Sequence, residues 1–166
     1  MLVSRHGNEI GVDGSFSWIS GANDQALGAV LVFRDTSEQR QFQKKLEWQA
    51  GHDPLTALPN RILLADRFAR ALELVKRNGS LLGVCVLDLD NFKPVNDLHG
   101  HEVGDRILVQ VTDRLRQELR ACDTLSRLGG DEFVLLFEDV QNANELHIPL
   151  ERIRESLALP FELEHA

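Results

Sequence analysis

The chain is poor in sulfur and lacks any long apolar run, and each shortage removes a class of protein. Its two cysteines, Cys85 and Cys122, show no CxxC spacing, so both read as reduced thiols of a cytoplasmic protein. Its six histidines show no zinc spacing. No apolar stretch approaches the roughly 18 residues that span a bilayer, and the start Met1-Leu2-Val3-Ser4-Arg5-His6 lacks the apolar core of a signal peptide. Basic stripes are missing too. With a formal charge of −8 the chain does not read as a nonspecific nucleic-acid binder, and no nucleic-acid partner is expected. Neither repeats nor low-complexity runs occur. What remains, at 43% hydrophobic residues, is the composition of an ordinary soluble enzyme.

The most informative stretch is Gly129-Gly130-Asp131-Glu132-Phe133, where two glycines and two adjacent carboxylates separate two apolar runs. The runs, Thr124 to Leu128 and Phe133 to Phe137, read as the strands of a hairpin. Glycines allow a turn at positive φ and a close approach by a bulky ligand, while Asp131 and Glu132 offer hard oxygen ligands to a divalent cation. Such a turn suits a metal-bound nucleotide; taken alone it is equally an acidic hairpin turn.

A second signal is the continuous apolar run Leu81 to Leu87, which ends in Asp88-Leu89-Asp90. The run predicts a central strand covered on both faces. Carboxylates at the carboxyl end of such a strand lie where ligands bind in open α/β sheets, so Asp88 could share a cation with Glu132. The alternative is a solvated strand end or a cap for the next turn.

Elsewhere the pattern is helical. A helix is predicted from about Arg61 to Lys76, stopped by Asn78-Gly79, and another from about Gly104 to Leu119, buried through Leu108, Val111, Leu115 and Leu119. Residues Asn142 to Leu157 read as a helix that Pro149 should kink or shift. The first forty residues differ, with strand-like runs at Ser15 to Ser20 and Ala26 to Phe33 around the turn Gly21-Ala22-Asn23-Asp24. Asp35-Thr36 ends the second run, Thr36-Ser37-Glu38-Gln39 reads as a capping box, and Phe42, Leu46 and Trp48 give the following helix a partial apolar stripe.

Asp53-Pro54-Leu55-Thr56-Ala57-Leu58-Pro59-Asn60-Arg61, Asp88-Leu89-Asp90-Asn91-Phe92-Lys93, Asn96-Asp97, His99-Gly100-His101 and Gly104-Asp105 stand in order before the Gly-Gly-Asp-Glu-Phe turn. From about Gly51 to Ala166 the chain therefore resembles the GGDEF family of diguanylate cyclases. The resemblance implies an α/β (α+β) fold like the palm of polymerases and class III nucleotide cyclases, with a central mixed sheet and flanking helices. It also implies condensation of two GTP molecules into cyclic di-GMP with release of pyrophosphate, by a homodimer, with Mg²⁺ as cofactor and Mn²⁺ as its alternative.

Carried onto this sequence, the family pattern makes Asp88 and Glu132 side-chain ligands of the metal, Leu89 a ligand through its carbonyl, and Asp131 a further ligand or the proton acceptor. The segment with Asn91, Phe92 and Lys93 would cradle phosphates, Asn96 and Asp105 would read guanine, and His101 would neighbour the base or ribose. Arg120-Ala121-Cys122-Asp123 resembles the inhibitory product site, in which Arg120 and Asp123 hold cyclic di-GMP.

The first part resembles the end of a PAS sensor. The expected organisation is residues 1–36 as the C-terminal part of a PAS-like domain, 37–50 as a signalling helix, and 51–166 as a cyclase domain incomplete at its C-terminus. Family members continue with further strands and a basic helix, often followed by an EAL phosphodiesterase domain, so little cyclic di-GMP is expected from these 166 residues alone. Two other readings are a noncatalytic module that binds GTP or cyclic di-GMP, and a sensor–linker fragment whose role is dimerisation.

Overall fold

The computed structural model describes residues 2–3, 9–10, 12–20 and 26–162, which fall into two compact units, Met1–Trp48 and Gln49–Ala166. In the first, short strands β1 (Leu2–Val3) and β2 (Glu9–Ile10) pair antiparallel, as do the longer β3 (Val12–Ser20) and β4 (Ala26–Asp35). The expected turn at 21–24 lies outside the described residues. β3 and β4 leave Phe16, Trp18, Leu31 and Phe33 exposed, with Phe16 and Trp18 in an edge-to-face ring contact at 4.8 Å.

Helix α1 (Ser37–Gly51) begins where the capping box was expected. The Ser37 N–H donates to Asp35 Oδ1 at 2.8 Å, and this hydrogen bond holds the Asp35 carboxyl below the usual carboxylate range. No side chain of α1 is buried, and Phe42, Leu46 and Trp48 are all exposed.

The second unit carries the α/β core. Asn60 caps helix α2 (Arg61–Asn78), its Oδ1 accepting from the N–H groups of Ile62 and Leu63. Gly79 ends the helix in the left-handed conformation, φ +72°, with its N–H on the Val75 carbonyl. Strand β5 (Leu81–Leu87) leads through a turn to α3 (Phe92–His99) and α4 (His101–Glu118). Then come β6 (Thr124–Gly129), β7 (Glu132–Val140), a 3₁₀ turn at Ala143–Leu146 and α5 (His147–Ala158). Pro149 sits in the first turn of α5, where a missing N–H costs no helical bond, so the helix starts later than the sequence pattern.

The α/β class is as expected, and the structure refines its sheet in two ways. The strand order is β5-β7-β6, and both ladders are antiparallel, so the described strands contain no parallel pair of the kind a mixed sheet has. Among the described strands β5, expected at the centre, lies at the edge: Val84 and Val86 are exposed, whereas Phe133 to Phe137 of β7 are all buried. Continuous apolar character marks a strand that could be covered on both faces, but sheet order depends on pairing partners distant in the chain. Phe133, Leu135 and Phe137 project into one cluster with Leu108, Val111 and Leu115 of α4 and Ile153 of α5. Burying a side chain of this size contributes about 1.5–3 kcal/mol, so this cluster fixes the sheet against α4. The signature turn is thereby held at one end of the sheet.

Candidate functional site

The turn between β6 and β7 depends on its glycines: Gly129 has φ +143° and Gly130 φ +55°, conformations that side chains disfavour. The β6–β7 ladder closes with Gly129 opposite Glu132, and the β5–β7 ladder ends with Leu87 opposite Phe133. Asp88 is the residue that follows Leu87, and Glu132 the one that precedes Phe133, so these two acids from distant parts of the chain lie at the same sheet end, with Asp131 adjoining. Among the described residues, the side chains of Asp88, Asp131 and Glu132 make no hydrogen bond or ion pair, and Asp88 and Glu132 are exposed.

No group of three or more His, Cys, Asp or Glu among the described residues converges on a single point that would hold a metal. Mg²⁺ does not need one. It takes oxygen ligands and usually keeps water and phosphate oxygens in its shell, so two unpartnered carboxylates and a nearby backbone carbonyl, that of Leu89, fit it.

Asp88, Leu89, Asp90 and Phe92 border a cleft of about 650 Å³ whose other walls, from β5, α4 and α5, are mainly apolar. Asn91 opens α3 in the left-handed conformation, φ +61°, and the Phe92 N–H donates to the Leu89 carbonyl. The Phe92 side chain packs against the core cluster, and Lys93 is exposed. Asn96, on α3, leans onto α4 at Gly104, where a Cβ would overlap Asn96 Oδ1. That oxygen is buried against Gly104 with no hydrogen-bond partner among the described residues. Asp105 is exposed beside Gly104 and borders a separate cleft of about 490 Å³ with Leu55, Arg106 and Gln110. His101 is exposed at the start of α4. The structure thus leaves Asp88 and Glu132 at the same sheet end, packs Asn96 against the residue before Asp105, and puts Asp105 and Asp88 on different clefts.

Arg120 and Asp123 form a tight turn between α4 and β6. The Arg120 N–H donates to Asp123 Oδ2 at 2.9 Å and the Asp123 N–H to the Arg120 carbonyl at 3.0 Å. Both residues border a cleft of about 460 Å³ with Arg67 and Arg116, a basic rim suited to phosphate.

Arg127 and Asp53 had no assigned role in the sequence. Arg127 is buried in β6; its Nη1 pairs with Asp53 Oδ1 at 2.8 Å, while Nε and Nη2 both donate to the Gly130 carbonyl, at 3.0 and 2.8 Å. Burial alone would raise the Asp53 carboxyl, but hydrogen bonds from the Thr56 hydroxyl and N–H, with the Arg127 guanidinium, hold it below its usual range. The available signal was an arginine inside the apolar run Thr124 to Leu128, since a buried guanidinium requires an acid partner. Which acid answers it cannot be read from spacing.

Residues 50–166 match the family described as Diguanylate cyclase, GGDEF domain. The bifunctional diguanylate cyclase/cyclic di-GMP phosphodiesterase MucR of Pseudomonas aeruginosa is 44% identical over 112 residues, 68% of this chain and 16% of that protein. The probable diguanylate cyclase DgcE of Escherichia coli is 37% identical across 84% of this chain and 13% of its own length. This chain therefore spans less than a fifth of either relative. Among solved structures, the GGDEF domain of TpbB from Pseudomonas aeruginosa superposes with a TM-score of 0.66 at 38% identity, covering 68% of this chain and 66% of that one. DgcB of Caulobacter crescentus, solved with cyclic di-GMP, gives 0.65 at 29% identity, covering 71% of this chain and 61% of that one. Among the described residues no helix is long and apolar enough to cross a membrane. The chain belongs to the GGDEF family of diguanylate cyclase domains.

Proposed function

We propose that residues 51–166 carry the GTP and metal site of a diguanylate cyclase, each copy presenting one GTP so that two copies facing each other join two nucleotides into cyclic di-GMP. The observation that supports this reading is that the β5–β7 ladder ends at Leu87 and Phe133, which leaves Asp88 and Glu132 at the same sheet end beside the glycine turn, with the three carboxylates unpartnered among the described residues. Asp88, Glu132 and the Leu89 carbonyl would hold Mg²⁺, with Asp131 as a further ligand or the proton acceptor. The chemistry a bound Mg²⁺ supplies is acidification of the attacking 3′-hydroxyl and screening of the α-phosphate. The segment Asn91 to Lys93, at the start of α3, would cradle the outer phosphates, with the Phe92 N–H engaged by the Leu89 carbonyl and the Lys93 ammonium adding a positive charge. Asn96 and Asp105 read guanine, and His101 adjoins the base or ribose.

Arg120 and Asp123 form a second, inhibitory site for cyclic di-GMP, supported by the basic rim around that turn. The β3–β4 hairpin followed by α1 supports reading residues 1–36 as the end of a PAS-like sensor and 37–50 as its signalling helix. An EAL domain in a longer parent protein fits the bifunctional relative.

Calorimetry with Mg²⁺·GTP and Mg²⁺·ATP tests the proposal. A carboxylate that accepts from N1–H and the exocyclic amino group of guanine is left unpaired by adenine, so ATP is expected to bind at least about 100-fold more weakly. Equal affinity for the two would remove the guanine assignment of Asn96 and Asp105.

A further inference from the structure

Two consecutive glycines give the signature turn freedom that a metal site cannot use. Gly129 and Gly130 both sit at positive φ, and glycine populates many such conformations at little cost. Something else must select the one that aims Asp131 and Glu132. The selecting contact comes from β6: both Nε and Nη2 of Arg127 donate to the Gly130 carbonyl, at 3.0 and 2.8 Å. That carbonyl belongs to the peptide that leads into Asp131. Fixing it with two converging bonds from one planar group fixes the peptide plane, which a single bond would leave free to swivel.

The guanidinium is in turn fixed from the other side. Its Nη1 meets Asp53 Oδ1 at 2.8 Å, and the same oxygen accepts from the Thr56 N–H and Oγ1, at 2.9 and 2.7 Å. The Arg127 backbone N–H donates to the Pro59 carbonyl at 3.0 Å. Residues 53–59 and the signature turn are thus tied through one side chain that is 9% exposed.

We infer that Arg127, oriented by Asp53, is the positioning residue of the acidic turn, setting the geometry of Asp131 and Glu132 without touching nucleotide or metal. The inference rests on the reading of the turn as a nucleotide site, but its first test does not.

Amide relaxation by NMR reads the turn with no ligand present. In the wild type, the Gly130 and Asp131 amides are expected to be as ordered as the sheet, with order parameters near about 0.85. In Arg127→Lys, which keeps a charge for Asp53 but cannot fork onto one carbonyl, they are expected to fall below about 0.6 while β7 and α4 stay rigid. Asp53→Asn, which keeps an acceptor for Thr56 and loses only charge, should loosen the same amides less. This milder variant carries the test if Arg127→Lys does not fold.

The second reading is Mg²⁺·GTP affinity, expected to drop about tenfold in Arg127→Lys, with the thermal midpoint changing far less than in a core variant. Turn amides as rigid as wild type in the folded variants would overturn the inference, as would loosening spread evenly over β6 and β7. Local loosening in a protein whose wild type binds no GTP would uphold the positioning role and refute the nucleotide site instead.

Discussion

Replacing Glu132 with Gln is expected to weaken Mg²⁺-dependent GTP binding by about 10–100-fold while leaving the fold intact. The amide keeps the volume and one oxygen but loses the charge that a divalent cation requires. The Glu132 side chain is exposed and has no hydrogen bond or ion pair among the described residues, so its carboxylate contributes nothing visible to stability. The size of the effect follows from the charge: Glu132, Asp88 and Asp131 are the acids at this sheet end, and the substitution removes one of them. An interaction with a charged group contributes about 1.5–3 kcal/mol, which at 1.4 kcal/mol per decade gives the expected range. Titration calorimetry with a parallel melting curve checks it. Unchanged affinity in a folded variant would take Glu132 out of the site.

The second large effect concerns the proposed inhibitory site. Arg120→Ala is expected to weaken cyclic di-GMP binding by at least about 10–100-fold, the loss of a charge-assisted, bidentate phosphate contact. GTP affinity should stay within about twofold. The separation follows from how the turn is built: the Arg120 backbone N–H, not its side chain, holds Asp123 Oδ2. Truncating the side chain therefore removes the phosphate grip and leaves the turn standing. Calorimetry with each ligand distinguishes the outcomes, and a joint loss of both affinities would show one site where two are proposed.

What the sequence disclosed depended on the range of the interactions involved. Local chemistry was legible. Two glycines between apolar runs announced the β6–β7 hairpin, and Asn78-Gly79 announced the end of α2, because turn and cap preferences act within a few residues. Helix α4 begins at His101, ahead of the predicted Gly104, since the Gly100 turn that starts it gives no side-chain cap to read. Helix α3 has no counterpart in the sequence reading, where the start of this segment reads as a phosphate-binding turn; Pro94 sits in its first turn, where it removes no helical bond.

Long-range arrangements stayed hidden. β5 looked central from its unbroken apolar run, but among the described strands it is β7 that pairs on both sides. The acids at the carboxyl end of β5 were legible from the strand pattern, whereas the contact of Arg127 with Asp53 was not: an ion pair between a loop and a buried strand leaves no periodic trace. Gly104 is a mixed case. The sequence marks it within a motif, and only the structure shows that its missing Cβ makes room for Asn96.

The central claim is that the acidic turn and Asp88 bind GTP through a divalent cation, and the most direct test is the GTP affinity of the unaltered chain with Mg²⁺ present and after its removal by a chelator. Binding that is clear with Mg²⁺, falls by at least about tenfold on chelation and returns when Mg²⁺ is restored is the predicted result. Equal affinity in both conditions, in a sample whose melting curve shows it folded, would contradict the account.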